Sequence, residues 1–243
     1  LIQAPLGILS NSLILPLLPQ FSKLRSKKDL RGLQKNLMSG IEYCFLTSIF
    51  LTGFFITFNN QIVQFVFERG AFDYSATLKV KNILIAYAIG IPFYLYRDLL
   101  VRTYYSIEKT KFPFQLSLAG IILNAFFDWF LIGAPIKNFE NLSPYNFGVV
   151  GIILSSGIVN FIVCILLALN LRNEDIHLPN LDLFKKIILM SLASLIDSRI
   201  CFTILKTTNK LNSNVEEFLL LIFGSLTFFV IYFLLTKFLK VNT

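Results

Sequence analysis

The chain has 243 residues, of which 55% are hydrophobic and 15% are charged, and its formal net charge is +8. A mean hydropathy of +0.69 excludes an ordinary soluble domain, and several apolar runs approach the ~20 residues that a membrane-spanning helix needs. The basic residues lie in short loops between these runs, as in cytoplasmic loops, so no nucleic-acid partner is predicted. The sequence therefore predicts an all-α, polytopic integral membrane protein with about seven transmembrane helices.

Cysteine and histidine give no sign of a metal or catalytic site. Cys44, Cys164 and Cys201 lie inside apolar runs without metal-ligand or redox spacing, and their odd number provides no disulfide framework. His177 is the sole histidine and lies in a polar loop, which leaves little from which to build a histidine metal site or a Ser/His/Asp triad. We expect no cofactor, no metal and no catalytic residue.

The first predicted span, Leu1 to about Leu18, is unusually small and polar for a helix that faces lipid. Two interpretations stay open. The polar and small residues line a cavity or substrate path, or they form a Gly/Ser packing face with a proline kink. The candidate lining residues are Pro5, Gly7, Ser10 and Asn11.

The segment from Phe21 to Asn36 carries six basic residues and only Asp29 as an acidic one. We expect it to be cytoplasmic and, in part, an amphipathic helix on anionic lipid. The second span follows at about Met38 to Phe58. The segment from Gln61 to Gly70 is too short to cross a membrane and favours an interfacial helix on the outer side.

The third span, about Asn82 to Tyr104, contains three charged residues near one end. Asp98 and Arg102 are four residues apart on one helix face and can pair, whereas Arg97 points about 100° away from Asp98. Arg97 therefore needs another helix, a lipid headgroup or an anionic substrate, unless it snorkels to the interface. We predict a cytoplasmic-side charge network of Arg97, Asp98 and Arg102.

The fourth span, Pro113 to about Ile132, places Asn124 and Asp128 four residues apart on one polar face. Trp129 is typical of an interfacial aromatic belt. Because this puts Asp128 near the outer interface, capping or headgroup contact is favoured over a proton relay.

Three further spans are predicted at about 148–171, 187–205 and 218–235. The fifth has a small polar face of Gly151, Ser155 or Ser156, and Asn160, which indicates helix packing. The sixth contains Asp197 and Arg199, which face opposite sides of a helix and are expected to snorkel to the outer interface.

The loops rich in Lys and Arg follow spans one, three and five, which predicts a cytoplasmic C-terminus. A complete protein that starts in the cytoplasm would then need an odd number of spans upstream.

Four segments carry a resemblance to a known family. They are PLGILSNSLILPLLPQFSKL (Pro5 to Leu24), FERGAFD (Phe67 to Asp73), PFYLYRDLLVRTYYSIEKTKFPF (Pro92 to Phe114) and LNAFFDWFLIG (Leu123 to Gly133). In this order they resemble the MurJ/MviN family of bacterial lipid II flippases, within the multidrug, oligosaccharidyl-lipid and polysaccharide exporter superfamily.

The resemblance implies a fourteen-span transporter that moves the undecaprenyl-diphosphate-linked peptidoglycan precursor across the bacterial plasma (inner) membrane by alternating access. This chain would be its second half, with residues 1–175 in the second lobe and residues 176–243 forming two terminal helices. The implied partners are the precursor lipid, membrane lipids and the missing N-terminal half. The family's essential arginines fall in the first lobe or just upstream of Leu1, so no binding residue is transferred.

Other functions stay open from the sequence. One alternative is another exporter of the same superfamily, for lipid-linked oligosaccharide or drugs, and a second is a non-transporting membrane scaffold or remnant. A membrane glycosyltransferase or acyltransferase would need grouped carboxylates or a histidine. Glu68 and Asp73 are the nearest such pair, and a simple loop is the favoured reading of them.

Overall fold

The computed structural model describes residues 3–67, 74–133, 145–176, 178, 180–208 and 214–238. Within these ranges all regular structure is helical, which confirms the predicted all-α class. The helices are α1 (Gln3–Leu9), α2 (Leu17–Ser26), α3 (Leu30–Thr57), α4 (Asn59–Phe67), α5 (Tyr74–Ser106), α6 (Lys111–Ile132), α7 (Val149–Asn170), α8 (Asn180–Thr208) and α9 (Asn214–Phe238). A π-helical turn (Ser10–Ile14) follows α1, and a 3-10 turn (Leu171–Glu174) follows α7.

Each of the seven predicted spans coincides with helical structure. Among the described residues, five segments are long and apolar enough to cross a membrane, and they are Gln3–Ser26, Leu30–Thr57, Ala76–Ser106, Lys111–Ile132 and Val149–Glu174. A shorter apolar helix runs from Ile222 to Lys237 within α9. The predicted sixth span lies within the long helix α8.

The first span is interrupted, as the proline-kink interpretation predicted. The Leu15 N–H donates to the Ser10 carbonyl at 3.0 Å, which is the wider i to i−5 bond of a π-helix. Pro16 has no N–H to continue the ladder, and α2 begins directly after it. The turn widens the helix at the point where Ser10 sits.

The basic segment is divided between two helices rather than forming one. Helix α2 ends at Ser26, and Lys28 adopts a left-handed conformation with φ of 55°. The Asp29 carboxylate accepts a hydrogen bond of 2.8 Å from the Gly32 N–H, which is N-cap geometry at the start of α3. A separate helix α4 occupies the segment for which a short, non-crossing helix was predicted.

The chain forms two compact units, each built from two stretches of sequence. The first consists of Leu1–Phe45 and Ile89–Asn180, and the second of Leu46–Ala88 and Leu181–Thr243. The predicted division of lobes at residue 175 concerns the complete transporter and stays a prediction.

In the first unit, α6 and α7 pack closely because α7 has no side chain at the contact. A Cβ at Gly151 would lie 2.6 Å from the Leu131 carbonyl oxygen. At one end of this helix pair the Phe147 N–H donates to the Leu131 carbonyl at 3.0 Å. At the other end Lys109, which follows α5, forms a 3.3 Å ion pair with Glu174, which follows α7. The loops after α5 and α7 therefore meet on one side of this unit.

The second unit has an aromatic core. Phe50 and Phe54 of α3 contact Phe228 of α9, with ring centroids 5.6 and 6.2 Å apart. The Tyr232 hydroxyl donates to the Leu46 carbonyl at 3.0 Å, and the Ser194 hydroxyl of α8 donates to the Ile49 carbonyl at 3.4 Å. These bonds connect α8 and α9 to the second half of α3.

Candidate functional site

Asp98 and Arg102 form a charge cluster with Ser10 inside the first unit. The Arg102 Nε lies 3.1 Å from both Asp98 carboxylate oxygens, so the predicted pair along α5 is present. The Ser10 hydroxyl donates to Asp98 Oδ2, and Arg102 Nη2 donates to the Ser10 oxygen at 3.2 Å. The exposed fractions of the Arg102 and Asp98 side chains are 22% and 27%. The hydrogen bonds of this cluster connect the π-helical turn of the first span to α5.

The residues predicted to line a cavity in the first span differ in exposure. Ser10 is buried, with 8% of its surface exposed, and belongs to the charge cluster. Gly7 and Asn11 are exposed, and Pro5 is intermediate. A Cβ at Gly7 would meet nothing within 4 Å. Gly7 and Asn11 therefore form an exposed part of the first span, whereas Ser10 is turned into the first unit.

Arg97 is separate from the Asp98–Arg102 pair. Its Nη1 donates a 2.9 Å hydrogen bond to Asn160 Oδ1 of α7, and among the described residues no carboxylate lies within ion-pair distance of it. Another helix, a lipid headgroup and an anionic substrate were the predicted partners of Arg97, and in the structure the partner is another helix. That helix offers a neutral amide, so the positive charge of Arg97 is not neutralised by any described residue within ion-pair distance.

Arg97 and Asn160 line a cavity of about 300 Å³ between α5, α6 and α7. Its other polar lining residues are Ser117 and Asn124 of α6 and Ser156 of α7. Asn160 is the twelfth of the 22 residues of α7, and Gly120, which also lines the cavity, is the tenth of the 22 residues of α6. The cavity thus combines a guanidinium with four neutral polar side chains near the middle of two membrane-length helices.

Asp128 lies in a second polar cluster between α6 and α7. Asn124 Nδ2 donates to Asp128 Oδ2 at 3.3 Å, which is the predicted i, i+4 contact. The Ser155 hydroxyl donates to Asp128 Oδ1, and the Ser156 hydroxyl donates to Asn124 Oδ1 at 3.4 Å. Each carboxylate oxygen of Asp128 therefore has a donor, and Asn124 belongs to both this cluster and the cavity.

The prediction that Asp197 snorkels to the membrane interface is wrong. Its exposed fraction is 0%, and its described side-chain hydrogen bond comes from the Cys201 thiol, at 3.6 Å from Oδ1. Arg199 is exposed on α8, in agreement with the opposite orientation of the two side chains. The snorkelling rule assumes a lipid-facing residue, whereas Asp197 faces the interior of the second unit.

Other candidates can be placed only in part. Glu68, Asp73 and His177 lie outside the described residues. Within the described part of the chain no three His, Cys, Asp or Glu side chains are grouped as a metal site would require. Two residues of the predicted packing face (Gly151, Ser155 or Ser156, and Asn160) line the cavity instead, namely Ser156 and Asn160. Their i, i+4 spacing is the same signal that indicated a polar face at Asn124 and Asp128.

These features define a class of protein. Membrane-length helices that carry an ion pair, a guanidinium beside a polar cavity and a buried carboxyl group are typical of a polytopic membrane transporter, since such groups are costly in a lipid-facing helix. A family model for the lipid II flippase MurJ matches residues 1–229. The chain belongs to this family of membrane transporters.

Individual relatives agree with this assignment. A protein of Synechocystis sp. described as a probable lipid II flippase MurJ is 39% identical over 156 residues, or 64% of this chain and 27% of the relative. A lipid II flippase MurJ of Thermosipho africanus is 41% identical over 76 residues, or 30% of this chain and 16% of the relative.

The fold also matches a solved structure of a lipid II flippase MurJ in an inward closed conformation. The TM-score is 0.74 at 25% sequence identity, over 98% of this chain and 44% of that chain. The chain therefore spans less than half the length of these relatives.

Proposed function

We propose that this chain is part of a flippase that moves lipid II, the undecaprenyl-diphosphate-linked peptidoglycan precursor, across the bacterial plasma membrane by alternating access. In this process no covalent bond is made or broken. The observation that carries the proposal is the match of 98% of the chain to a lipid II flippase fold, with a TM-score of 0.74. The family model over residues 1–229 supports it from the sequence alone.

We assign Pro5, Gly7 and Asn11 to the wall of the substrate path. A diphosphate needs a wet, protein-lined route, because charge in hydrocarbon is expensive. The exposed part of the first span has no side chain at Gly7 and a polar amide at Asn11. Such a surface fits a polar substrate path better than it fits contact with lipid tails. The position of this wall is fixed by the charge cluster of Ser10, Asp98 and Arg102, because the cluster holds the π-helical turn against α5.

Arg97 contributes positive charge to the same half of the transporter. It lies nine residues before the end of α5 at Ser106, which is roughly 14 Å along the helix and deeper than a headgroup anchor. Its described partner is neutral, so its charge is available to attract an anionic group. Asn124 and Asp128 form a polar contact that joins α6 to α7.

The transport unit includes a further helical half of the same protein, since the chain covers 27% and 44% of two longer relatives. Residues 1–175 then belong to the second lobe, and residues 176–243 form two terminal helices. The location is the bacterial inner membrane with a cytoplasmic C-terminus. The Lys109–Glu174 ion pair supports this topology, because both loops that it joins were assigned to the cytoplasmic side.

The test is growth of a bacterium depleted of its own lipid II flippase and supplied with the complete open reading frame that contains this chain. We expect growth to be restored. Gly7→Phe is expected to abolish the rescue at normal protein levels, because the new side chain has room in this chain and projects from the exposed part of the first span. Ile122→Phe, at the 73%-exposed Ile122 of α6, is the matched control and should rescue.

Two results would contradict the proposal. Failure of the well-expressed wild-type protein to rescue growth would reject lipid II transport. Full rescue by Gly7→Phe would be compatible with lipid II transport but would contradict the assignment of Gly7 to the wall of the substrate path.

A further inference from the structure

Four aspartates lie within the membrane-length helices of the described chain. Asp182 is in the first turn of α8, and the other three lie further from the start of their helices and have different surroundings. Asp98 pairs with Arg102. Asp128 accepts one hydrogen bond at each carboxylate oxygen, from Ser155 and Asn124. Asp197 is fully buried, its Oδ1 accepts from the weak thiol donor of Cys201, and its Oδ2 has no hydrogen-bond partner among the described residues.

The depth of Asp197 rules out direct contact with water at a helix end. It is the eighteenth of the 29 residues of α8, which puts it roughly 16 Å from the nearer end of the helix at 1.5 Å per residue. An ionised carboxylate at such a position requires a cation or several strong donors, because burial without them penalises the charged form far more than the neutral acid.

The described groups around Asp197 do not supply that compensation. On α8 the titratable neighbour is the Cys201 thiol. On α9 it is Tyr232, which interacts electrostatically with Asp197 but donates its own hydroxyl to the Leu46 carbonyl. The stretch of α3 that packs here, residues 46–57, contains no charged residue. Arg199 is exposed, two residues along α8 and on the opposite side.

We propose that Asp197 is a proton-binding site inside the membrane, where the carboxyl group holds its proton at neutral pH and acts as a neutral acid. The proton resides on Oδ2, the oxygen without a described partner, while Oδ1 continues to accept from Cys201. The site belongs to the second unit and involves none of the residues assigned to the substrate path. The proposal for Asp197 therefore does not depend on whether the protein transports lipid II.

The experiment is infrared spectroscopy of the purified protein, expressed from the complete open reading frame and reconstituted in lipid at pH 7. The C=O stretch of a protonated carboxyl group lies apart from the amide bands and from the carboxylate bands. Incorporation of aspartate with ¹³C at its side-chain carboxyl shifts this band if it arises from aspartate. We expect such a band in the wild-type protein and the loss of the intensity of one carboxyl group from it in Asp197→Asn.

Asp128→Asn is the matched control, because it makes the same change at an aspartate whose two oxygens already have donors. This variant should keep the band, and Cys201→Ser should also keep it. If Asp197→Asn fails to fold, Asp197→Glu replaces it, and the part of the band that responds to labelled aspartate should then fall by the intensity of one carboxyl group.

The proposal is overturned if the folded wild-type protein shows no aspartate-derived acid band at pH 7. It is equally overturned if the band keeps its full intensity in Asp197→Asn, or if Asp128→Asn lowers it instead.

Discussion

The Ser10 hydroxyl donates a hydrogen bond to the Asp98 carboxylate across 88 residues of sequence. Ser10 begins the π-helical turn of the first span, and its carbonyl accepts the widened backbone bond from Leu15. Arg102 contacts both Ser10 and Asp98. An irregular backbone segment in a membrane is thus held by an ion pair on a neighbouring helix, in keeping with the need to satisfy polar groups inside the bundle.

The Asp98–Arg102 pair is expected to show energetic coupling. Asp98→Ala and Arg102→Ala should each lower the free energy of unfolding, because each leaves a half-buried charge without its partner. A double-mutant cycle, measured by denaturation in detergent, should give a coupling of about 1.5–3 kcal/mol.

The Lys109–Glu174 pair is the comparison for this cycle, because the Lys109 side chain is 53% exposed, although that of Glu174 is only 18% exposed. It should give a coupling below about 1 kcal/mol. Simple additivity of the Asp98 and Arg102 substitutions would show that their contact contributes nothing to stability.

Arg97 is expected to matter for transport more than for folding. Arg97→Ala removes the positive charge at the cavity and should weaken growth rescue in the depleted strain at normal protein levels, whereas Arg97→Lys keeps the charge and should rescue in part. Lys111→Ala, at an exposed residue of α6, should behave like the wild-type protein. Full rescue by Arg97→Ala would exclude a functional role for the guanidinium.

Much of this arrangement follows from local sequence rules. Helix spans, the interrupted first span and the Asp98–Arg102 pair depend on neighbours in the sequence, so periodicity and proline placement were sufficient to predict them. The Asn160 partner of Arg97 is 63 residues away, and only the packing of α5 against α7 brings the two together. Sequence spacing could show that Arg97 needs a partner but not which residue supplies it.

The error at Asp197 has the same origin. A charged residue in an apolar run has two possible orientations. Its side chain can face lipid and reach the membrane interface, or it can face the interior of the protein. The choice depends on which face of α8 meets α9 and α3, and the near-uniform apolar composition of α9 gives no periodic signal for that face.

Ser155 is expected to stabilise the contact between α6 and α7 through Asp128. Ser155→Ala removes the hydroxyl that donates to Asp128 Oδ1, and since Ser155 is fully buried, water cannot replace it. We expect a loss of about 1–3 kcal/mol in the free energy of unfolding. In Ser117→Ala, the lost hydroxyl donates, among the described residues, to the Pro113 carbonyl of its own helix, and the change should stay within about 0.5 kcal/mol. Equal effects of the two substitutions would contradict a role for Ser155 at Asp128.

Two glycines of α7 provide a matched test of helix packing. A Cβ at Gly151 would lie 2.6 Å from the Leu131 carbonyl oxygen, a backbone atom that moves only with α6 itself. Gly151→Ala should therefore destabilise the protein by about 1–3 kcal/mol. At Gly157 the nearest atom to a new Cβ is the Gly90 Cα at 4.0 Å, an ordinary contact. Gly157→Ala should be neutral or stabilising by up to about 1 kcal/mol, because alanine is the better helix former. Thermal unfolding in detergent distinguishes the two, and a stable Gly151→Ala variant would mean that α6 and α7 are further apart than this packing requires.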